Sequence, residues 1–222
     1  MILTDEQLRR AEQEQQALRQ RVVAHDRLPD PVRTVAGVDV AYDEASDHLV
    51  AAVTVLDAQH LTVLATATFE GEATFPYVPG LFSFRELPAI LRALEKLSAP
   101  PDLLVCDGQG LAHPRRFGLA CHVGVATGLA TIGCAKSRLL GTHAALAPTR
   151  GSQTALCDGD EIIGQVLRTQ TDKNPVYVSV GHNISLATAT AWVLRLAPTY
   201  RLPETTRSAD QLVRQLQRAR IR

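Results

Sequence analysis

Leu103-Leu104-Val105-Cys106-Asp107-Gly108-Gln109-Gly110-Leu111-Ala112-His113-Pro114-Arg115-Arg116 is the stretch from which the rest of the chain is read. Its four leading apolar residues follow Pro100-Pro101-Asp102 and stop at an acid, the pattern of a buried strand that carries a carboxylate to its end. Gly108 and Gly110 permit positive φ and close approach of a ligand. His113, Arg115 and Arg116 can supply charge for an anion. Acid, glycines and bases together suggest a metal and a phosphate. A capping aspartate in a strand-to-helix turn, with Phe117 opening the helix, would give the same local sequence.

Upstream, Val35-Ala36-Gly37-Val38-Asp39-Val40-Ala41-Tyr42 is β-rich and apolar on both sides of one acid. A carboxylate inside a central strand requires a partner, either a basic side chain or a bound metal, because an unpaired buried charge is costly. Leu49 to Leu56 and Leu61 to Phe69 follow as strands joined by Asp57-Ala58-Gln59-His60, completing an antiparallel meander of three strands. Ahead of it, Thr4-Asp5-Glu6-Gln7 is a capping-box start for a polar helix reaching about Ala24, and Leu28-Pro29-Asp30-Pro31 ends that segment.

Between meander and central strand lies Phe75-Pro76-Tyr77-Val78-Pro79-Gly80, a stiff loop that either folds Tyr77 over the sheet or holds it out as a wedge for a base step. Leu81 to Leu97 is an amphipathic helix with Leu87, Ile90, Leu91, Leu94 and Leu97 inward and Ser83 as a cap. Glu86 in its first turn either complements the helix dipole or points to the sheet edge shared by Asp39 and Asp107.

Downstream the reading gives a helix over 117–127, a strand Ala130 to Gly133, and then Lys136, placed past a strand end where α/β architectures bind ligands. Leu140 to Gly159 reads as a mobile segment, and Glu161 to Arg168 with Val176 to Val180 as a hairpin. His182 stands before a helix running to about Leu196, where it could orient a water or bind an anion. The tail is a basic helix with Arg214, Arg218, Arg220 and Arg222, and its one notable acid is Asp210.

The 222 residues suit one domain, 1–222, with an ordinary globular balance of 45% hydrophobic and 21% charged residues. Lys+Arg 23 against Asp+Glu 23 excludes a protein that coats nucleic acid by bulk electrostatics, so phosphate binding should rest on a few basic residues. Cys106, Cys121, Cys134 and Cys157 lack CxxC spacing and read as reduced core residues. Met1 to Arg10 is polar and no apolar run is long enough for a bilayer, so a soluble, cytoplasmic protein is expected.

The order of elements is that of an α/β protein whose mixed sheet carries helices on its faces, with an added hairpin and closing helices, the layout of ribonuclease H-like nucleases. Ala36-Gly37-Val38-Asp39-Val40, Phe75-Pro76-Tyr77-Val78-Pro79-Gly80-Leu81-Phe82-Ser83-Phe84-Arg85-Glu86, Asp107 to Arg116, Ile132-Gly133-Cys134-Ala135-Lys136, Gly181-His182 and Tyr200-Arg201-Leu202-Pro203-Glu204 resemble the endonuclease V family, in that family's order. The chain departs from the usual family residues at Gln109 (His), Cys134 (Val) and Asn183 (Arg).

The resemblance implies a DNA repair endonuclease that recognises deaminated adenine, as deoxyinosine or inosine, and hydrolyses the second phosphodiester bond 3′ to the lesion. It implies Mg²⁺ as cofactor, with Mn²⁺ able to substitute, held by Asp39, Asp107 and Glu86. Lys136 would stabilise charge at the phosphate and His182 would assist at the water. Pro76, Tyr77, Gly80, Gly108, Gly110 and His113 would bind the substrate, Tyr77 filling the gap left by the extruded base. A monomer with no membrane attachment is expected. Inosine-containing RNA or branched DNA stays open as the main substrate, and a noncatalytic nucleic-acid binding module would lack at least one of the three acids.

Overall fold

A computed structural model of the protein describes residues 3–43 and 46–220; Met1 and Arg222 lie outside the described residues. The opening helix, α1 (Asp5–Arg19), has the expected capping box, in which Thr4 accepts from the Gln7 amide and the Gln7 side chain reaches back. It stops short of Ala24. Strands β1 (Thr34–Tyr42), β2 (His48–Asp57) and β3 (Val63–Glu72) form the antiparallel meander. Then come α2 (Phe82–Leu94), β4 (Leu103–Cys106), α3 (Leu119–Thr127) and β5 (Ala130–Ala135). The chain closes with β6 (Gln153–Asp158), β7 (Glu161–Leu167), β8 (Val176–His182), α4 (Leu186–Leu196) and α5 (Glu204–Arg220).

All eight strands make one mixed sheet in the order β3-β2-β1-β4-β5-β8-β7-β6, with β1, β4 and β5 parallel to one another, the ribonuclease H-like layout expected. Alternation along the central strands feeds two cores. Ala36, Val38, Leu104 and Cys106 pack with Ile90 and Val123 of the α2 and α3 layer. Val35, Leu103, Val105 and Ile132 pack with Val193 and Leu196 of α4. On that second face α5 crosses β1 and β2, its Val213 buried against Val50 and Ala52. Gly37 makes this seating possible: a Cβ there would stand 2.0 Å from the Thr205 carbonyl oxygen.

Two expectations are corrected. Leu140 to Gly159 is not a mobile segment, because it contains the edge strand β6, paired with β7 and tied by a Thr142 to Cys157 bridge. Only Leu156 along β6 is buried, so the apolar alternation that signals a strand is too sparse to read. Ser83 is not the cap of α2, whose N-cap residue is Leu81 and which has no side-chain cap. Its hydroxyl lies buried 2.9 Å from Nδ1 of His122 on α3, joining the two helices. All four cysteines are free, and Cys106, Cys121 and Cys134 are buried. No helix among the described residues is long and apolar enough to cross a membrane.

Candidate active site

The β1–β4 ladder ends at Val38 opposite Cys106, so Asp39 and Asp107 are the next residues of two parallel neighbours. Both follow the alternation that turns Val35 and Val105 toward the α4 and α5 face. Glu86 comes from α2 and is only 6% exposed; one of its carboxylate oxygens accepts from the Tyr42 hydroxyl at 3.1 Å. With α5 seated on Gly37, its Asp210 comes within electrostatic reach of both Asp39 and Lys136. Asp210 thus joins the site as a fourth acid. The one sequence signal for it was a lone carboxylate in an otherwise basic tail.

The electrostatics follow from crowding in a poorly solvated place. Burial, then repulsion from Asp107 and Asp210, pushes Asp39 up to about 7, although Lys136 opposes the shift. Burial above all pushes Glu86 up to about 8; the hydrogen bond from Tyr42 works against this, and Asp39 and Asp107 add to it. Lys136 loses solvation but gains more from Asp107, whose Oδ2 is 2.5 Å from its Nζ, and its pKa is raised.

Among the described residues no group of three or more His, Cys, Asp or Glu is drawn together closely enough to hold a metal ion as it stands. The Lys136 ammonium occupies Asp107, and Tyr42 engages Glu86.

Beside the acids lies a cavity of about 300 Å³, lined by Tyr77, Gly80, Phe82, Gly108, Leu119 and Leu139 among others. Tyr77 stands at its rim, 68% exposed, its ring edge-on to Phe82. The loop behind it is braced. Phe75 stacks on Phe84 and its carbonyl accepts from Arg85 at 2.7 Å, with Pro76 half-buried between this anchor and the exposed ring. The Gly80 carbonyl accepts from Gln15 at 2.8 Å and Arg115 at 2.8 Å, and lies 3.0 Å from Nε2 of His113.

These contacts revise the roles read for the glycine loop. Gly108, at φ 150°, faces the cavity, but Gly110 is buried behind the loop, where a Cβ would lie 2.0 Å from the Val180 carbonyl oxygen. Gly110 therefore fastens the loop to β8 and is not among the residues that line the cavity. His113 lines the cavity, but it, Arg115 and Arg116 are each engaged by neighbours and are not free charges for an anion. Arg115 is held by Gln15 and Gly80, and Arg116 by Asp158 and Glu161. Burial lowers His113 to about 4, so it is neutral; its Nδ1 accepts from the Arg115 amide, leaving Nε2–H to donate to Gly80.

His182 does not join the acids. It pairs with Thr131 at the start of β5, the end of the sheet away from Asp107, and its Nδ1 accepts from the Val23 amide at 3.1 Å. Burial lowers its pKa, with Arg27 and Arg21 adding to the effect. It fastens the post-α1 segment to β8.

A pH prediction follows from His113. Its folded pKa of about 4 lies below the ordinary value of 6.5, so the stability it contributes is present above 6.5 and is lost as pH falls toward 4. The melting-temperature gap between wild type and His113→Gln should shrink from pH 7 to pH 5. A constant gap would show that the imidazole is not held neutral by burial.

A crowded acidic cluster with one lysine, next to a cavity rimmed by an exposed tyrosine, is chemistry for hydrolysing a phosphate ester beside a bound base. The family model described as Endonuclease V matches residues 16–211. The Endonuclease V of Streptomyces coelicolor is 54% identical over 206 residues, 92% of this chain and 88% of that one. The crystal structure of the Streptomyces avermitilis Endonuclease V superposes with a TM-score of 0.92 at 49% identity, covering 100% of this chain and 96% of that one. Ciona intestinalis Endonuclease V, in complex with a 24mer DNA containing an inosine followed by a ribo-adenosine, superposes at 0.86 with 25% identity over 97% of this chain and 99% of that one. A match of this reach, carried by both sequence and fold, leaves one assignment: the chain belongs to the endonuclease V family of nucleases.

Proposed function

We propose that this protein is a divalent-metal-dependent endonuclease, a single-domain monomer that binds DNA at deaminated adenine and hydrolyses the second phosphodiester bond 3′ to the lesion. The observation that carries the reading is the adjacency of the acidic cluster to the Tyr77 cavity: Lys136 and Asp107 lie beyond two strand ends, and Gly108, next to Asp107, lines the cavity. The Ciona complex, whose DNA contains an inosine, supports inosine as the base held there.

The donor set fits a hard cation. Its groups are carboxylates, and Asp39 and Glu86 are pushed to about 7 and about 8 by burial and mutual repulsion that one lysine does not offset. Asp39 and Asp107 would hold Mg²⁺ or Mn²⁺, with Glu86 and Asp210 completing the negative field. Such an ion, when bound, supplies Lewis acidity toward phosphate and water.

The chain's own residues do the rest. Lys136 offers an ammonium to the phosphate once it leaves Asp107. The cavity, mostly apolar with backbone at Gly80 and Gly108, takes a flat base and excludes water. Hypoxanthine has the ring N–H and O6 of guanine without its exocyclic amine, so a close-fitting wall can reject guanine.

Cleavage of matched strands carrying deoxyinosine, inosine or adenine, with Mg²⁺ and with chelator, tests the reading. Cutting of the deoxyinosine strand at the second 3′ bond, abolished by chelator, is the expected result; equal cutting of the adenine strand would refute it. A strong preference for the inosine strand would move the natural substrate to RNA. Tyr77→Ala should weaken binding of a deoxyinosine duplex by about tenfold, the order of one lost base–aromatic stack. Titration by fluorescence anisotropy reads this, and unchanged affinity would remove the wedge.

A further inference from the structure

Tyr77 is one of two large exposed apolar side chains on the cavity. The other is Leu139, 54% exposed, which comes from the loop after Lys136, whereas Tyr77 comes from the loop before α2. Leu139 was not singled out in the sequence because one leucine in an irregular stretch carries no pattern.

Its exposure is built into the fold. Two residues upstream, the Ser137 carbonyl accepts from the Gln109 amide at 3.3 Å, which ties this loop to the glycine loop. The Lys136 carbonyl accepts from Arg201 at 2.5 Å, and Arg201 also bonds the carbonyls of Asn174 and Pro175. On the downstream side Leu140 packs with Ala112, Leu156, Ile163 and Val166, Gly141 turns at φ 87°, and Thr142 pairs with Cys157. With Lys136 and Ser137 tied on one side and Leu140 packed on the other, the loop presents Leu139 to solvent at the cavity. An apolar side chain held in water by a braced loop at the rim of a ligand cavity is placed for something that arrives with the ligand.

We propose that Leu139 is a second wedge, packing on the nucleotide immediately 3′ to the extruded base and so setting the distance from the lesion to the bond that is cut. This rests on the function proposed above. The segment 136–139 runs from the lysine on Asp107 to the cavity wall, so it lies between the acidic cluster and the base cavity, where the nucleotide joining the extruded base to the cut bond would pass. Tyr77 and Leu139 would then support the two stacking faces opened when the base leaves. Leucine is among the side chains that enter base steps in this way. Gln109 acquires a role as well: it braces the loop that presents the wedge.

The test uses a deoxyinosine duplex with 2-aminopurine at the next 3′ position and a non-hydrolysable linkage at the second 3′ bond, titrated with the full-length protein in Mg²⁺. Wild type should unstack the 2-aminopurine and raise its fluorescence. Leu139→Ala should lose most of that rise and bind about tenfold more weakly, with an unchanged melting temperature because the side chain is exposed; Leu139→Met should restore both. On a cleavable duplex, Leu139→Ala should spread cutting to neighbouring bonds. Wild-type fluorescence, affinity and cut position in Leu139→Ala would overturn the proposal. If wild type itself does not prefer the deoxyinosine duplex to its adenine counterpart, the proposed function fails instead, which separates the two failures.

Discussion

Asp39→Ala and Asp107→Ala should each lower single-turnover cutting of a deoxyinosine duplex by about three orders of magnitude, while binding of that duplex stays within a few-fold of wild type. The magnitude is that of removing a charge aimed at the reacting phosphate from a water-poor site. The two properties separate because the cavity is lined by Tyr77, Gly80, Phe82 and Leu119, none of which depends on either acid for its position. Quenched-flow cleavage in saturating Mg²⁺ and anisotropy titration measure the two sides.

The electrostatics add a check that needs no substrate. Asp39 is raised to about 7, above the ordinary carboxylate value, so its contribution to stability is present at low pH and lost as pH rises through 7. Metal-free Asp39→Asn should therefore gain in melting temperature over wild type at pH 8 and lose that advantage at pH 5. Full turnover in either alanine variant would remove these acids from the machinery.

Gly37→Ala is expected to be among the most damaging single methyl groups in the chain. The added Cβ would sit 2.0 Å from the Thr205 carbonyl oxygen and 2.2 Å from its carbon, both backbone atoms that no rotamer change can move. Relief requires shifting the start of α5 off β1, which loosens Val213 from Val50 and Ala52 and carries Asp210 away from Asp39. Overpacking of this kind costs about 3 kcal/mol, a fall in melting temperature of roughly 6–12 °C for a domain of this size. Activity should fall further than stability does, because the fourth acid is displaced.

Gly128→Ala is the control. At φ 75° with nothing within 4 Å, it pays only for a left-handed backbone, about 1 kcal/mol. Equal melting temperatures for the two variants would show that the α5 contact is not what Gly37 serves.

Much of the site could be read along the chain because the information was local. Leu103 to Cys106 announces a buried strand and Asp107 its end; the two flanking prolines of Tyr77 announce a stiff loop. The readings that failed needed knowledge of what lies opposite. Ser83 looks like a cap until His122 is seen across from it, and Arg115 and Arg116 look like phosphate ligands until Gln15, Gly80, Asp158 and Glu161 are found to occupy them. His182 follows a strand, as Asp107 does, but β8 runs antiparallel to β5, so its end lies at the other edge. Strand direction is a property of pairing, and pairing is not written in any one segment.

The sequence by itself determined most of the element order, a mixed sheet with helices on its faces, the carboxylates at strand ends and the stiff loop that carries Tyr77, since hydrophobic period, turn residues and strand-end acids are each set by a few adjacent side chains. Tertiary structure alone decided that Asp210 joins Asp39, that Lys136 rests on Asp107, that His182 stands apart, and that Leu139 lines the same cavity as Tyr77. Those relations join residues distant along the chain, and they exist only because burying the two faces of one sheet forces α5 onto Gly37 and folds the glycine loop against β8.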